Sequence, residues 1–529
     1  MPDSIIAKHA IELAKELGIS STADAIIAAA TCILLYFIST PIYHLFLSPL
    51  ARVPGPRLNA ISNIPLNRAV LAGNYHLYSR QMHEKYGPVV RLAPNKVSTS
   101  NTSDTRTILA THAFRKSQFY DQGKLILPSL FSTTDPETNK VRRRQLGNAF
   151  AMHTIRSMED LVIQDGAWSL VKHWRALAES GGANNGWARA NYYQGFHSIA
   201  IDVIGALGFG HSFGILQSGN AEIISWINDA LKMSSIRSSY PITKHIPWMF
   251  KKYKRGEQQL ISFVKSTVAE RRKLIQETGK PPREDILQRF IEAVDPATGQ
   301  KITEDELHTE IILLNNAGTD TTSHTLSWTL MYLLHYPDIH RRVCKDIRSA
   351  FPDHSAPIRY DEAKSLPYLT AVIYESLRMM PSVSGLLPRV VPSGGFELGG
   401  YHIPGKSEIC LAFAACQRNS EMWDEPNRFK PERFLGPHAD QRMREVMAFS
   451  SGVRVCIGRN LAWVELYTVL ANILREFDMR VPEDSEYGPQ RKNEIGEPAE
   501  IPGAAFITCG PRNPKVDCWI DIRRHSSAV

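Results

Sequence analysis

Phe449-Ser450-Ser451-Gly452-Val453-Arg454-Val455-Cys456-Ile457-Gly458-Arg459 is the stretch on which the reading of this chain turns. It runs straight into an apolar pattern of helical spacing, Leu461, Val464, Leu466 and Leu470, so Cys456 stands just before a helix N-terminus. Free backbone N–H groups and the positive end of the helix dipole favour a thiolate there, the form of cysteine that binds metal. Gly452 and Gly458 leave the loop without side chains on either side of the cysteine, so its backbone can lie against a flat macrocycle. Phe449 is placed to cover the sulfur from water, and Arg454 offers donors to an acidic group. A lone cysteine is more often a small buried hydrophobe, but the ordered set around Cys456 points to a ligand.

Upstream, Ile311-Ile312-Leu313-Leu314-Asn315-Asn316-Ala317-Gly318-Thr319-Asp320-Thr321-Thr322 begins as an apolar helix and then admits Gly, Asp and Thr, all poor helix formers. Ala317 and Thr321, four apart, share one face, with little bulk over whatever lies beneath. Reducing dioxygen at a metal requires protons, and an acid beside an alcohol, Asp320 with Thr321, relays them through water. A polar helix end, with Asp320 and Thr322 capping a neighbour, explains the same residues equally well. His324, one turn on, reads as a core histidine rather than a ligand. Glu375-Ser376-Leu377-Arg378 pairs opposite charges at i and i+3, as any surface helix can, and Pro431-Glu432-Arg433-Phe434 follows downstream.

In this order, with Val53-Pro54-Gly55-Pro56 as a stiff leader, these stretches resemble the cytochrome P-450 family, and among its members the microsomal fungal biosynthetic ones. The cysteine loop matches the family's Phe-x-x-Gly-x-Arg-x-Cys-x-Gly motif, and the central run matches its Ala/Gly-Gly-x-Asp/Glu-Thr distal helix. The resemblance implies a mainly α fold with small β-sheets (α+β) and a haem b whose iron takes an axial thiolate from Cys456. It places Ala317 and Gly318 at the cofactor, makes Asp320 the acid and Thr321 the alcohol, and joins Glu375, Arg378 and Arg433 in a buried structural triad. Arg454, Arg389 in Leu387-Pro388-Arg389, and Arg143 would face the propionates. Where the family often carries Trp or His four residues before the last of these, this chain has Asn139.

The implied activity is monooxygenation of a lipophilic small molecule by O2, in secondary-metabolite, terpenoid or steroid biosynthesis. Small and apolar residues dominate the stretches corresponding to the family's pocket: 114–130, 315–319 and 382–387. No GxGxxG fingerprint follows a strand, so electrons must come from outside, by resemblance from NADPH-cytochrome P-450 reductase, with cytochrome b5 as a second donor. Two rivals stay open: a haem-thiolate isomerase or dehydratase that needs no O2, and a noncatalytic haem-binding sensor.

From Ala25 to Leu50 no Asp, Glu, Lys or Arg occurs, enough apolar length for a bilayer core of about 30 Å. Acidic residues dominate before it and Arg52 and Arg57 follow, which puts the C-terminal side in the cytosol. The long, acidic lead without a small-residue cleavage site argues against a signal peptide. The expected plan is a lumenal segment (1–24), a transmembrane anchor (25–47) with Pro41 kinking its end, a proline-containing linker (48–75) and a catalytic domain (76–529), held single-pass in the endoplasmic reticulum membrane. Tyr240 to Phe250, apolar and aromatic before Lys251-Lys252, is expected either to touch the membrane or to form an ordinary buried loop. The net charge of +8 is spread over short clusters, against nucleic acid, and seven irregularly spaced cysteines fit neither a disulfide framework nor a zinc site. Strands are expected at 86–92, 97–100 and within 388–409, a largely helical middle over 142–348, and a helix over 458–477.

Overall fold

The computed structural model describes residues 21–180, 186–219, 222–246 and 248–526, so most of the expected lumenal segment lies outside the described residues. Helix α1 (Thr22–Ile42) starts at a capping box between Ser21 and Asp24 and carries no buried residue. Pro41 does not end it: the chain continues as a π-turn over Tyr43–Leu47. Ile26 and Phe37 are exposed, as is Phe46 of the π-turn, so this helix is apolar all round and buries none of its residues, as a membrane span does.

The exit from α1 is fastened to the body. Arg91 donates its backbone N–H to Pro54 O at 2.7 Å and a guanidinium N–H to His44 O at 2.7 Å. A Cβ on Gly55 would lie 2.6 Å from Arg91 O, so only glycine permits that approach. Helix α2 (Ile64–Leu71) then buries Leu66 and Val70 with Tyr75, Val90 and Leu92. The 48–75 stretch, expected as a linker, is therefore packed into the body along much of its length.

Strands β1 (Val89–Ala93) and β2 (Lys96–Thr99), where two short strands were expected, pair as a hairpin and join β3 (Arg115–Lys116), β5 (Pro388–Val390) and β8 (Glu408–Leu411) in one sheet of order β1-β2-β8-β5-β3. β8 lies parallel to β2 and antiparallel to β5, which draws residues some 310 positions apart into register. The remaining strands make small sheets: β4 (Ala188–Asn191) with β12 (Trp519–Arg524) and β9 (Phe477–Arg480), β6 (Phe396–Leu398) with β7 (Tyr401–Ile403), and β10 (Gly503–Ala505) with β11 (Cys509–Pro511).

The helical mass comprises α3 (Thr102–Leu109), α4 (Pro136–Gly147), α5 (Tyr192–Gly208), α6 (Glu222–Ser239), α7 (Lys251–Thr278), α8 (Glu304–His335), α9 (Pro367–Met379) and α10 (Arg459–Glu476), with shorter helices between. Helix α8 is the axis: 32 residues long, opened by a Thr303/Glu306 capping box, and buried on most faces against α5, α7, α9 and α10. Tyr336 ends it just before Pro337, as the residue before a proline usually does. The triad forms as expected: Glu375 and Arg378 are fully buried and joined at 2.7 and 2.8 Å, and Arg433 Nε donates to the same carboxylate at 3.1 Å. The arrangement is mainly α with small sheets, as the sequence led one to expect.

Candidate active site

Cys456 N–H donates to Phe449 O at 2.9 Å and closes the loop that precedes α10. Ser450, at φ +61, and Gly452, at φ +56, turn it. Gly452 answers to a different neighbour than expected: its Cβ would strike the backbone of Leu109 and Ala110 at the end of α3. A Cβ on Gly458, by contrast, would find only Cys456 Sγ, at 4.0 Å. Phe449 stacks at a tilt on Trp463, with centroids 5.3 Å apart, and so braces the loop on α10.

Cys456 keeps accessible surface although protein crowds it on most sides, so it borders a crevice rather than open solvent. Burial pushes its thiol up; backbone N–H groups of Gly458 and Arg459 and the charges of Arg143 and Arg459 pull the other way without prevailing. The helix start therefore helps the thiolate, as expected, but does not by itself secure it. The other described cysteines, apart from Cys32 in the anchor, are buried.

On α8 a stripe of accessibility runs through Leu313, Ala317 and Thr321, with Asn316 and Gly318 partly open, while the other residues around them are buried. Accessible residues midway along a buried helix mark an internal gap. Helices α8 and α10 meet where Thr322 donates to the buried carboxyl of Glu465 at 3.2 Å. Thr321 turns its hydroxyl back to Ala317 O at 2.7 Å, and the helix runs through unbroken. Asp320 is not on that stripe. Its carboxylate meets His197 Nε2 of α5 at 3.3 Å and accepts from Thr508 at 3.4 Å, behind the gap-facing side.

Arg143, Arg389 and Arg454 are brought together with Lys116. Arg454 is buried, none of its three guanidinium nitrogens finds a partner among the described residues, and burial with the charges of Arg389 and Arg143 lowers it to about 10. Arg389 donates to Tyr120 Oη at 2.7 Å, and Arg143 Nε likewise has no partner among the described residues. Burial, followed by the same three arginines, holds Lys116 well below the usual lysine range, and its ammonium is taken by the carbonyls of Leu130 and Phe131. Glu310, the buried acid close by, is engaged by Arg142 at 3.2 Å and by Leu130 N–H at 2.8 Å. A cationic cluster so short of carboxylates suits a group that brings its own, such as the two propionates of a haem. Asn139 instead donates to Leu130 O at 3.0 Å and ties down the loop before α4.

Sequence reasoning missed His197 and did not single out Lys116 and Tyr120 within the 114–130 pocket stretch, or Thr508 within 501–509, a candidate for the turn that reaches the substrate. His197 and Thr508 lie 123 and 188 residues from Asp320, and no local pattern announces them.

The sequence profile of the cytochrome P450 family matches residues 53–500. Cytochrome P450 monooxygenase helB1 of Aspergillus fumigatus is 34% identical over 490 residues, which cover 92% of this chain and 83% of that protein. Cytochrome P450 monooxygenase astJ of Aspergillus oryzae is 32% identical over 493 residues, 89% of this chain and 94% of that one. The crystal structure of the cytochrome P450DA heme domain shares the fold, with a TM-score of 0.74 over 90% of this chain and 98% of that chain at 19% identity. On the family match and these relatives, the chain belongs to the cytochrome P450 family and is a haem-dependent monooxygenase.

Proposed function

We propose that this protein inserts one oxygen atom of O2 into a C–H or C=C bond of a lipophilic small molecule of fungal secondary metabolism, on a haem b held through Cys456. The observation that carries this reading is the cluster of Arg143, Arg389 and Arg454, poor in carboxylates, in the same fold as the crevice cysteine and the open stripe of α8. The haem, when bound, supplies an iron that activates dioxygen, with thiolate donation favouring O–O cleavage. Cys456 provides the sulfur, Gly458 leaves it uncrowded, and Phe449 with Gly452 fixes the loop. The arginines neutralise propionates and are relieved of mutual repulsion in doing so. Ala317 and Gly318 keep the roof of the gap low and apolar, the Thr321 hydroxyl, resting on Ala317 O, is the group that relays a proton there, and Asp320 is the acid that replenishes it.

Electrons come from NADPH by way of a membrane-bound P450 reductase, with cytochrome b5 as a second donor. Helix α1 anchors the chain in the endoplasmic reticulum membrane with the catalytic body in the cytosol. Exposed Tyr240, Ile242, Trp248 and Met249, beside exposed Ile64 of α2, make a second membrane contact; Pro247 lies outside the described residues.

The test is the carbon monoxide difference spectrum of the reduced protein beside Cys456→Ala. A thiolate-type Soret band lost in the variant supports the assignment, and a folded, haem-free wild-type protein would overturn it. Turnover that proceeds without O2 and NADPH would favour an isomerase or dehydratase instead.

A further inference from the structure

The acid of α8 is the one candidate catalytic group whose side chain faces away from the stripe that the reading above makes the reaction gap. Asp320 and His197 are both about nine-tenths buried, and their 3.3 Å contact joins α8 to α5. On its other oxygen, at 3.4 Å, sits Thr508 of the β10–β11 hairpin. Tyr193, one turn before His197 on α5, stacks on His197 at 5.6 Å and on His324 of α8 at 5.9 Å; its hydroxyl meets His324 Nε2 at 3.4 Å. Tyr193 is only partly buried, so this aromatic stack leads from the buried carboxylate towards the surface.

We infer that His197 is a positioning residue for the proposed oxygenation: it holds Asp320 and restores that group's proton after each delivery. The ring of His197 passes its Nε2 proton to Asp320 Oδ1 and takes one proton back from solvent on the Tyr193 side, so that its own proton count is restored. The acid then turns to serve Thr321. No electron moves, and each proton delivered to the gap is matched by one taken from solvent. The inference rests on Asp320 being the acid of the reaction.

The electrostatics fit that role. Burial, the largest influence on Asp320, pushes its carboxyl up, but the hydrogen bond from His197 and the charges of His324 and His197 outweigh it and keep the group below the ordinary range. An acid that is ionised at neutral pH and walled off from water needs a donor at hand, and His197 is the base in contact with it. His324 is not a second donor: burial drives it down to about 4, and Gly510 packs against its ring. The other groups facing the pair are Tyr193 on the same helix, Thr508 on the hairpin, and Cys518 with Asp517 beyond Tyr193. Asp202, further along α5, is committed to the N–H groups of Ile215 and Leu216.

The test uses the full-length haem-loaded protein, with carbon monoxide on the reduced form as probe. His197→Gln, which keeps a donor but cannot carry a proton, is compared with Asp320→Asn and the wild-type protein. Two quantities are read: the pH dependence of the bound carbon monoxide stretching frequency from about pH 5 to about 9, and the solvent deuterium isotope effect on reductase-driven NADPH oxidation. The expected result is a pH-dependent step in the wild-type protein that is missing from both variants, with an isotope effect raised about twofold or more in each. A step and an isotope effect in His197→Gln equal to those of the wild-type protein would overturn the inference, and so would a step that survives in Asp320→Asn. A thiolate-type Soret band kept in both variants separates these outcomes from misfolding, and its absence from the wild-type protein would sink the haem assignment instead.

Discussion

Two side chains carry physical tension that can be measured. Arg454 is buried, its three guanidinium nitrogens have no partner among the described residues, and two other arginines lie near it. Arg454→Met should therefore stabilise the haem-stripped protein by about 1–3 kcal/mol while weakening haem retention. Urea denaturation of stripped and loaded protein, run side by side, checks for that reversal of sign. Among the described residues the Glu465 carboxyl is hydrogen-bonded only by the Thr322 hydroxyl, and burial raises it to about 8 from an ordinary 4.5. A buried acid with its folded pKa above the unfolded one holds an extra proton only in the fold, so its effect on stability is absent below about 4.5. Stability then falls as pH rises towards about 8, and the full loss is present above that value. Glu465→Gln keeps the hydrogen bond and removes the ionisation, so it should flatten this fall and gain roughly 1–4 kcal/mol at pH 9. Denaturation midpoints from pH 5 to about 9 read it out; a variant as pH-sensitive as the wild-type protein would show that Glu465 is already neutralised by another route.

At the scale of elements, the cysteine loop and the ion-pair triad each depend on one residue. Gly452 sits at positive φ with its α-carbon against the end of α3, where a Cβ would come within 2.8 Å of Ala110 Cα. Gly452→Ala should cost on the order of 3 kcal/mol and loosen the loop, visible as a lower thermal midpoint and a partial loss of the thiolate Soret band. Glu375 receives Arg378, Arg433 and the backbone N–H of Lys430. Glu375→Gln leaves buried guanidinium charge without its counter-charge, a loss of about 3–5 kcal/mol, so little haem-loaded protein should accumulate on expression. The helix after Cys456 and the two strands β1 and β2 were legible because period and turn residues announce them. The packed character of the 48–75 stretch was not, because Pro-Gly-Pro dictates an extended backbone without saying what it lies against.

For the molecule as a whole, the distribution of exposed apolar surface makes the prediction. Deleting residues 1–47 removes the span, yet exposed Ile64, Ile242 and Trp248 should retain part of the protein on vesicles. Trp248→Asp in that shortened chain should lower the bound fraction about tenfold, measured by co-sedimentation. Unchanged binding would assign the segment to an ordinary surface loop.

What the sequence by itself determined is the chemistry of single positions and of short runs: Cys456 ahead of a helix, Asp320 beside Thr321, the apolar span, and the Glu375–Arg378 spacing. These are local because thiolate stabilisation, helix periodicity and membrane insertion depend on residues a few positions apart. The tertiary structure alone decided which charges meet and which way a side chain turns. It gathered Lys116, Arg143, Arg389 and Arg454 from four separate stretches, and it turned Asp320 towards His197 and Thr508. Hydrogen-bond direction and burial are set by packing between elements far apart in the chain, and no spacing within one element encodes them.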